Sequence, residues 1–247
     1  MSGHSKWSQI KRQKGAADVK RGVVFTKMAR EIMLAAREGG GDPESNFRLR
    51  LAIDRARSVN MPRDNIQRAI ERATGGGDGA RLESVVYEGY GPGGVSIMVE
   101  AATDNRNRTA SEIRAAFTRQ GGKLGESGSV QWLFEQKGII EIASTGRDLD
   151  EVALMAIDAG AEDVESEDGL ITIYTPTAAF ERVKAALDRA AIGAESAEVS
   201  MRPTNTVHLE GDQARRLVKL VEALEDLDDV QKVHANFDVP EEVLETA

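Results

Sequence analysis

The chain has 247 residues, of which 40% are apolar, 30% charged and 4% aromatic, and its formal net charge is −9. That length and apolar content suit two or three soluble domains with cores of Val, Ile, Leu, Ala and Met. The absence of cysteine excludes disulfides, thiolate metal sites and a Cys nucleophile, and it suits a reducing cytoplasm.

The charge is unevenly divided. Residues 1–75 hold 16 Lys+Arg against 8 Asp+Glu, a net of +8, and the remainder carries 16 basic and 33 acidic residues, a net of −17. The asymmetry is steepest in residues 1–30, where Lys6, Lys11, Arg12, Lys14, Lys20, Arg21, Lys27 and Arg30 face a single acid, Asp18. A basic end on an acidic chain fits a polyanionic partner, because Lys and Arg neutralise phosphates and release condensed counterions. The alternative is a solvated tail. No apolar run approaches the ~18–20 residues of a membrane span, and the start lacks the apolar segment of a secretory signal.

Residues 1–22 read as a basic arm. Its one aromatic, Trp7, either stacks on a base or caps the module that follows. From about Val23 the period is helical: Phe25, Met28, Ala29, Ile32, Ala35 and Ala36 share a face. Gly39-Gly40-Gly41 ends that helix, and Asp42-Pro43 is expected to open a second, with Leu49, Ile53 and Ala56 inward. Asn60-Met61-Pro62 breaks the chain, and Ile66, Ala69, Ile70 and Ala73 give a third helix its stripe. Residues 23–80 are therefore a three-helix domain and its glycine-rich linker.

The period then changes to strands, Ser84–Tyr90 and Val95–Ala102. The glycines between them match G-x-G-x-x-G at Gly89, Gly91 and Gly94, but they join strand to strand, so a hairpin is expected and a dinucleotide site is not. Asp104-Asn105-Arg106-Asn107-Arg108-Thr109 leads into a helix from about Thr109 to Gln120. Arg106 and Arg108 there either bind phosphate or flank a capped helix start. The loop Gly121–Ser129, with Lys123, misses both the nucleophile elbow and the P-loop. A strand is expected at Val130–Phe134.

Residues 138–202 then read strand, helix, strand, strand, helix, strand, with the last helix at Pro176–Ala191. That order matches a ferredoxin-like unit. Strand, helix and strand after Pro203 are too little for a domain alone. They complete the sheet begun earlier, making residues 81–137 and 203–240 one discontinuous α/β domain with 138–202 inserted. His208 and His234 are expected on strands of that sheet. With His4 they are too dispersed to suggest a zinc site. The fold class is α+β: a three-helix module plus two α/β domains, the third inserted in the second.

The motifs carry a resemblance that runs essentially end to end. Gly3-His4-Ser5-Lys6-Trp7, Phe25-Thr26-Lys27, Asn60-Met61-Pro62, Tyr87-Glu88-Gly89-Tyr90-Gly91-Pro92-Gly93-Gly94, Thr103-Asp104-Asn105-Arg106-Asn107-Arg108-Thr109 and Gly128-Ser129-Val130 are similar to the YebC/PmpR family, whose mitochondrial relatives activate translation of cytochrome oxidase. The resemblance implies three domains, the third inserted, and a non-enzymatic, nucleic-acid-binding regulator. That regulator is either a ribosome-associated translation factor or a DNA-binding transcriptional regulator.

The sequence carries no metal cluster, nucleophile motif or nucleotide loop, so neither catalysis nor a cofactor is expected. The preferred reading is a cytoplasmic, monomeric translation factor that contacts rRNA or tRNA phosphates on the ribosome. No membrane or small-molecule substrate is involved. The candidate contacts are Lys6, Trp7, Lys11, Arg12, Lys14, Lys20, Arg21, Lys27, Arg30, Arg106, Arg108 and Lys123. The alternative reading is a regulator that binds promoter DNA, with Arg63, Gln67, Arg68 or Arg72 entering a major groove.

Overall fold

Three helices open the part of the chain that the computed structural model describes, residues 21–75, 82–167 and 169–245. They are α1 (Arg21–Gly39), α2 (Phe47–Ser58) and α3 (Arg63–Thr74). Their apolar faces meet in one core of Ile32, Ala35, Ala36, Leu49, Ile53, Ile66 and Ile70, with Phe25, Met28 and Ala29 packed at its margin. The second helix starts four residues later than the Asp42-Pro43 signal implies. The Asp42 carboxylate accepts from the Glu44 amide and closes a local turn. Asn46 then caps α2, its Oδ1 accepting from the Leu49 amide at 3.0 Å while Nδ2 donates to the carbonyls of Ala35 and Gly40. Between α2 and α3 the chain turns at Asn60, whose φ of 60° is left-handed, and Met61 is buried beneath the turn.

The next domain is built on strands β1 (Glu83–Tyr90), β2 (Ser96–Thr103), β3 (Lys123–Leu124) and β9 (Val230–Ala235), in the order β3-β1-β2-β9. β1 and β2 form the expected antiparallel hairpin, Glu83 opposite Thr103 and Tyr90 opposite Ser96. Gly93 in its turn has a φ of 69°, and a Cβ there would lie 2.3 Å from Leu209, so the position accepts little but glycine. Alternation along β1 sends Tyr87 and Gly89 toward a core that α4 (Arg106–Arg119) and α7 (Gly211–Glu225) complete with Ile113, Phe117, Leu217, Leu220 and Leu224. Val86, Glu88 and Tyr90 take the other face. α1 runs against β2 and β9 of the same sheet.

Several boundaries depart from the sequence reading. α4 begins at Arg106 rather than Thr109, because Asn105 is its cap. Residues Gln131–Leu133 form a single 3₁₀ turn instead of a strand. His234 lies on β9 as expected, but His208 does not join the four-stranded sheet. It sits on β8 (Val207–His208), which pairs in parallel with β10 (Phe237–Asp238) as a separate two-stranded ribbon. The chain then continues into α8 (Glu241–Glu245).

Residues Phe134–Thr204 make a second compact unit. It runs β4 (Phe134–Ala143), α5 (Leu149–Asp158), β5 (Asp163–Glu167), β6 (Leu170–Pro176), α6 (Phe180–Arg189) and β7 (Ser196–Pro203). Its sheet is antiparallel in the order β5-β6-β4-β7, the ferredoxin-like arrangement. α6 starts later than the Pro176 signal, since Pro176 still pairs with Lys137 at the end of β6. Ile140, Ile142, Ile171, Ile173, Phe180, Val183 and Leu187 are buried in this unit. Among the described residues, no helix is long and apolar enough to cross a membrane.

Candidate nucleic-acid interface

Among the predicted contacts, Lys6, Trp7, Lys11, Arg12, Lys14 and Lys20 lie outside the described residues, and Arg21 opens α1. The structure brings Arg30 and Arg108 together on one acid. Asp229, placed by the turn before β9 and 2% exposed, lies 2.9 Å from Arg30 and 2.6 Å from Arg108. It also accepts from the hydroxyls of Thr109 at 2.6 Å and Thr103 at 3.1 Å. Burial raises the Asp229 pKa, but hydrogen bonds from Arg108 and Thr109 and the charge of Arg30 outweigh it and hold the carboxyl below its ordinary value. Hydrogen bonds to Asp229 and to Asp104, the latter at 2.8 Å, raise the pKa of Arg108.

Lys27 and Arg30 donate to the carbonyls of Glu225 and Asp228, and Arg106 pairs with Glu83 at 2.6 Å. These four cations are thus engaged with protein oxygens, and Lys27 and Arg30 fasten α1 to the end of α7 and the turn that follows it. A phosphate approaching Arg30 or Arg108 has to compete with a buried carboxylate. Sequence reasoning missed Asp229 because it lies about 120 positions or more from its partners, and an Asp-Asp pair before a strand reads as a solvated turn.

Other cations carry no such engagement. Arg63 and Arg72 on α3, Arg114 and Arg119 on α4, and Lys123 on β3 are exposed, and the side chain of none has a hydrogen bond or ion pair among the described residues. On α3, Gln67 donates to Glu71 and Arg68 to Asn65. Arg63 and Arg72 are therefore the readier anion contacts on that helix. A shallow apolar depression between α2 and α3, lined by Ile53, Met61, Ile66 and Ile70, is edged by Arg57 and Arg63.

The loop after β3 is ordered by a residue that no local pattern singles out. Glu88, 3% exposed, accepts from the backbone N–H groups of Gly128 (2.6 Å), Val130 (2.7 Å) and Gln131 (2.8 Å). Burial raises its pKa, but those three donors more than offset this, so it sits below the usual carboxylate value. The Gly125 amide donates to the Glu88 carbonyl. The glycine-rich loop is therefore tied to β1 at both of its ends, and Lys123 stands at its start.

The fold and the exposed cations define a three-domain α+β protein whose basic helical domain precedes two α/β domains, one inserted in the other. Two family models match it. The TACO1/YebC protein N-terminal domain covers residues 5–76, and the TACO1/YebC second and third domain covers residues 82–237. The chain belongs to the TACO1/YebC family. It is 53% identical over 245 residues to a probable transcriptional regulatory protein of Trichlorobacter lovleyi, covering 99% of each chain. It is 54% identical to a protein of the same description from Rubrobacter xylanophilus, covering 99% of this chain and 98% of the other. Among solved structures, a conserved hypothetical protein from Aquifex aeolicus matches with a TM-score of 0.83 and 47% identity, over 90% of this chain and 92% of that one.

Proposed function

We propose that this protein is a non-enzymatic, nucleic-acid-binding regulator of gene expression that acts on the translation machinery by contacting rRNA or tRNA phosphates. The observation that carries the reading is the charge division, a net of +8 over residues 1–75 on a chain whose total is −9. Such a basic module is drawn to polyanions while the acidic remainder is repelled, which orients the protein on its target. The arm supplies the leading contacts through Lys6, Lys11, Arg12, Lys14 and Lys20. Arg63, Arg72 and Lys123 extend them, and Lys27 and Arg30 hold α1 in place. Cations spread over two domains suit an irregular RNA surface, recognised by shape and phosphate, better than a single DNA groove.

The name shared by the curated relatives, probable transcriptional regulatory protein, supports a second reading as a DNA-binding regulator with α3 in the major groove. Ribosome profiling of a deletion strain with matched RNA abundance separates the two. Changed elongation pausing at constant transcript levels is the expected result. Altered transcript levels at specific promoters with pausing unchanged would overturn it. In vitro, replacing Lys6, Lys11 and Lys14 together by Ala should flatten the dependence of log K on log salt by roughly 0.7–0.9 for each phosphate that is no longer neutralised.

A further inference from the structure

Trp132 is 72% exposed, and Tyr90, on the outward face of β1, is 39% exposed. Tryptophan is among the side chains most stabilised by burial, so one left this open needs a reason. Both rings are nonetheless fixed at their polar edges. The Trp132 indole N–H donates to the carbonyl of Ser129 at 3.1 Å, and the Tyr90 hydroxyl donates to the same oxygen at 3.0 Å. That carbonyl is itself held, because its loop hangs on the buried Glu88 carboxylate through the amides on either side of it. Both rings are thus anchored at one edge with much of their surface in water. Tyr90 pairs directly with Lys123 in the antiparallel β1–β3 ladder. Directly opposed residues project to the same face of a sheet, so an exposed ammonium group with no partner among the described residues shares the tyrosine's face.

We infer that Trp132, Tyr90 and Lys123 form a stacking site for an unpaired nucleobase of single-stranded RNA. The aromatic rings take the base and the lysine meets the adjoining phosphate. This rests on the nucleic-acid reading above and adds to it a second kind of contact, one that recognises a splayed base rather than backbone charge. Aromatic platforms beside a cation are how sequence-tolerant single-strand binding is built, and every base offers a π-face. The loop geometry contributes by removing orientational freedom from the rings before the base arrives.

The test compares the full-length protein's affinity for a short single-stranded RNA with its affinity for the same RNA carrying abasic residues, which keeps the phosphates and deletes the bases. The wild type should prefer the base-bearing strand by roughly 5- to 150-fold, the range set by one aromatic–base stack. Trp132→Ala should abolish most of that preference while leaving affinity for the abasic strand and its salt dependence as in the wild type. Trp132→Phe should restore part of it.

A measurement on protein with an intact loop guards against misfolding of the alanine variant. In a Trp7→Phe background Trp132 is the remaining tryptophan, and the base-bearing RNA should quench its fluorescence more than the abasic one. If Trp132→Ala keeps the wild-type preference, or if bound RNA leaves Trp132 equally fluorescent with and without bases, the stacking site is wrong and the phosphate reading stands. If neither strand is bound at any salt concentration, both readings fall.

Discussion

Glu88 shows how much a single side chain organises here. Its three backbone donors hold the folded-state pKa below the reference value of 4.5, so its contribution to stability is complete above the unfolded carboxylate value. That contribution is lost as pH falls through the lower, folded one. Glu88→Gln puts an amide N–H₂ where a lone pair faced N–H donors, and it should cost about 1.5–3 kcal/mol at neutral pH, the worth of hydrogen bonds to a charged group. Denaturant unfolding of both proteins at neutral pH and in strong acid reads this. The gap should narrow in acid, and a gap independent of pH would mean that charge is not its source. None of this was legible in the sequence. Alternation put Glu88 on the outward face of its strand, where a carboxylate ordinarily meets water, and its partners lie 40 or more positions away. Trp132 was equally hidden, because the loop that anchors it is held by Glu88 from 40 or more positions away.

Among the elements, the helices of the N-terminal domain were the most legible, since three- and four-residue apolar steps report directly on a buried face. Their starts were less so. Asp42-Pro43 resembles an N-terminus, yet the helix begins after Asn46, which reaches back to the carbonyls of Ala35 and Gly40. Asn46 is 5% exposed and serves three backbone groups, so Asn46→Ala removes a cap and strands two carbonyls. A loss of about 2–3 kcal/mol is expected in denaturant melts, with faster hydrogen exchange concentrated at the Leu49 amide. The turn into α4 left two readings open, phosphate contact or capping. Asn105 caps, its side chain accepting from the Arg108 amide at 3.1 Å, and the arginine side chains of that turn reach carboxylates of β1 and of the turn before β9. Local signals located the turn, but only the fold could supply those acids.

At the scale of the whole molecule, the β-α-β-β-α-β order of the acidic segment was visible in the sequence because each element has its own period. Its start was not, because Phe134–Lys137 extend β4 without a change of pattern. The unit has a complete sheet and a core of its own. Residues 134–204 expressed alone should therefore give the circular dichroism of a mixed α/β fold and a cooperative melt, whereas an unfolded fragment would show that the host domain is needed. At Gly138 a Cβ would lie 2.4 Å from the Phe180 ring, so Gly138→Ala in that fragment should lower the melting temperature markedly. The insertion also bears on the speed of folding. β4 and β7 pair from Phe134 opposite Pro203, so the chain enters and leaves the unit through neighbouring strands. Host strands β2 and β9 must find each other across on the order of a hundred residues or more, a separation whose closure entropy grows with its logarithm. Once the insert has closed, the effective loop between them is roughly halved, which lowers the entropy of closure by about 0.6 kcal/mol. The host sheet should accordingly assemble after the insert, and a slower-folding insert should delay the β2–β9 pairing.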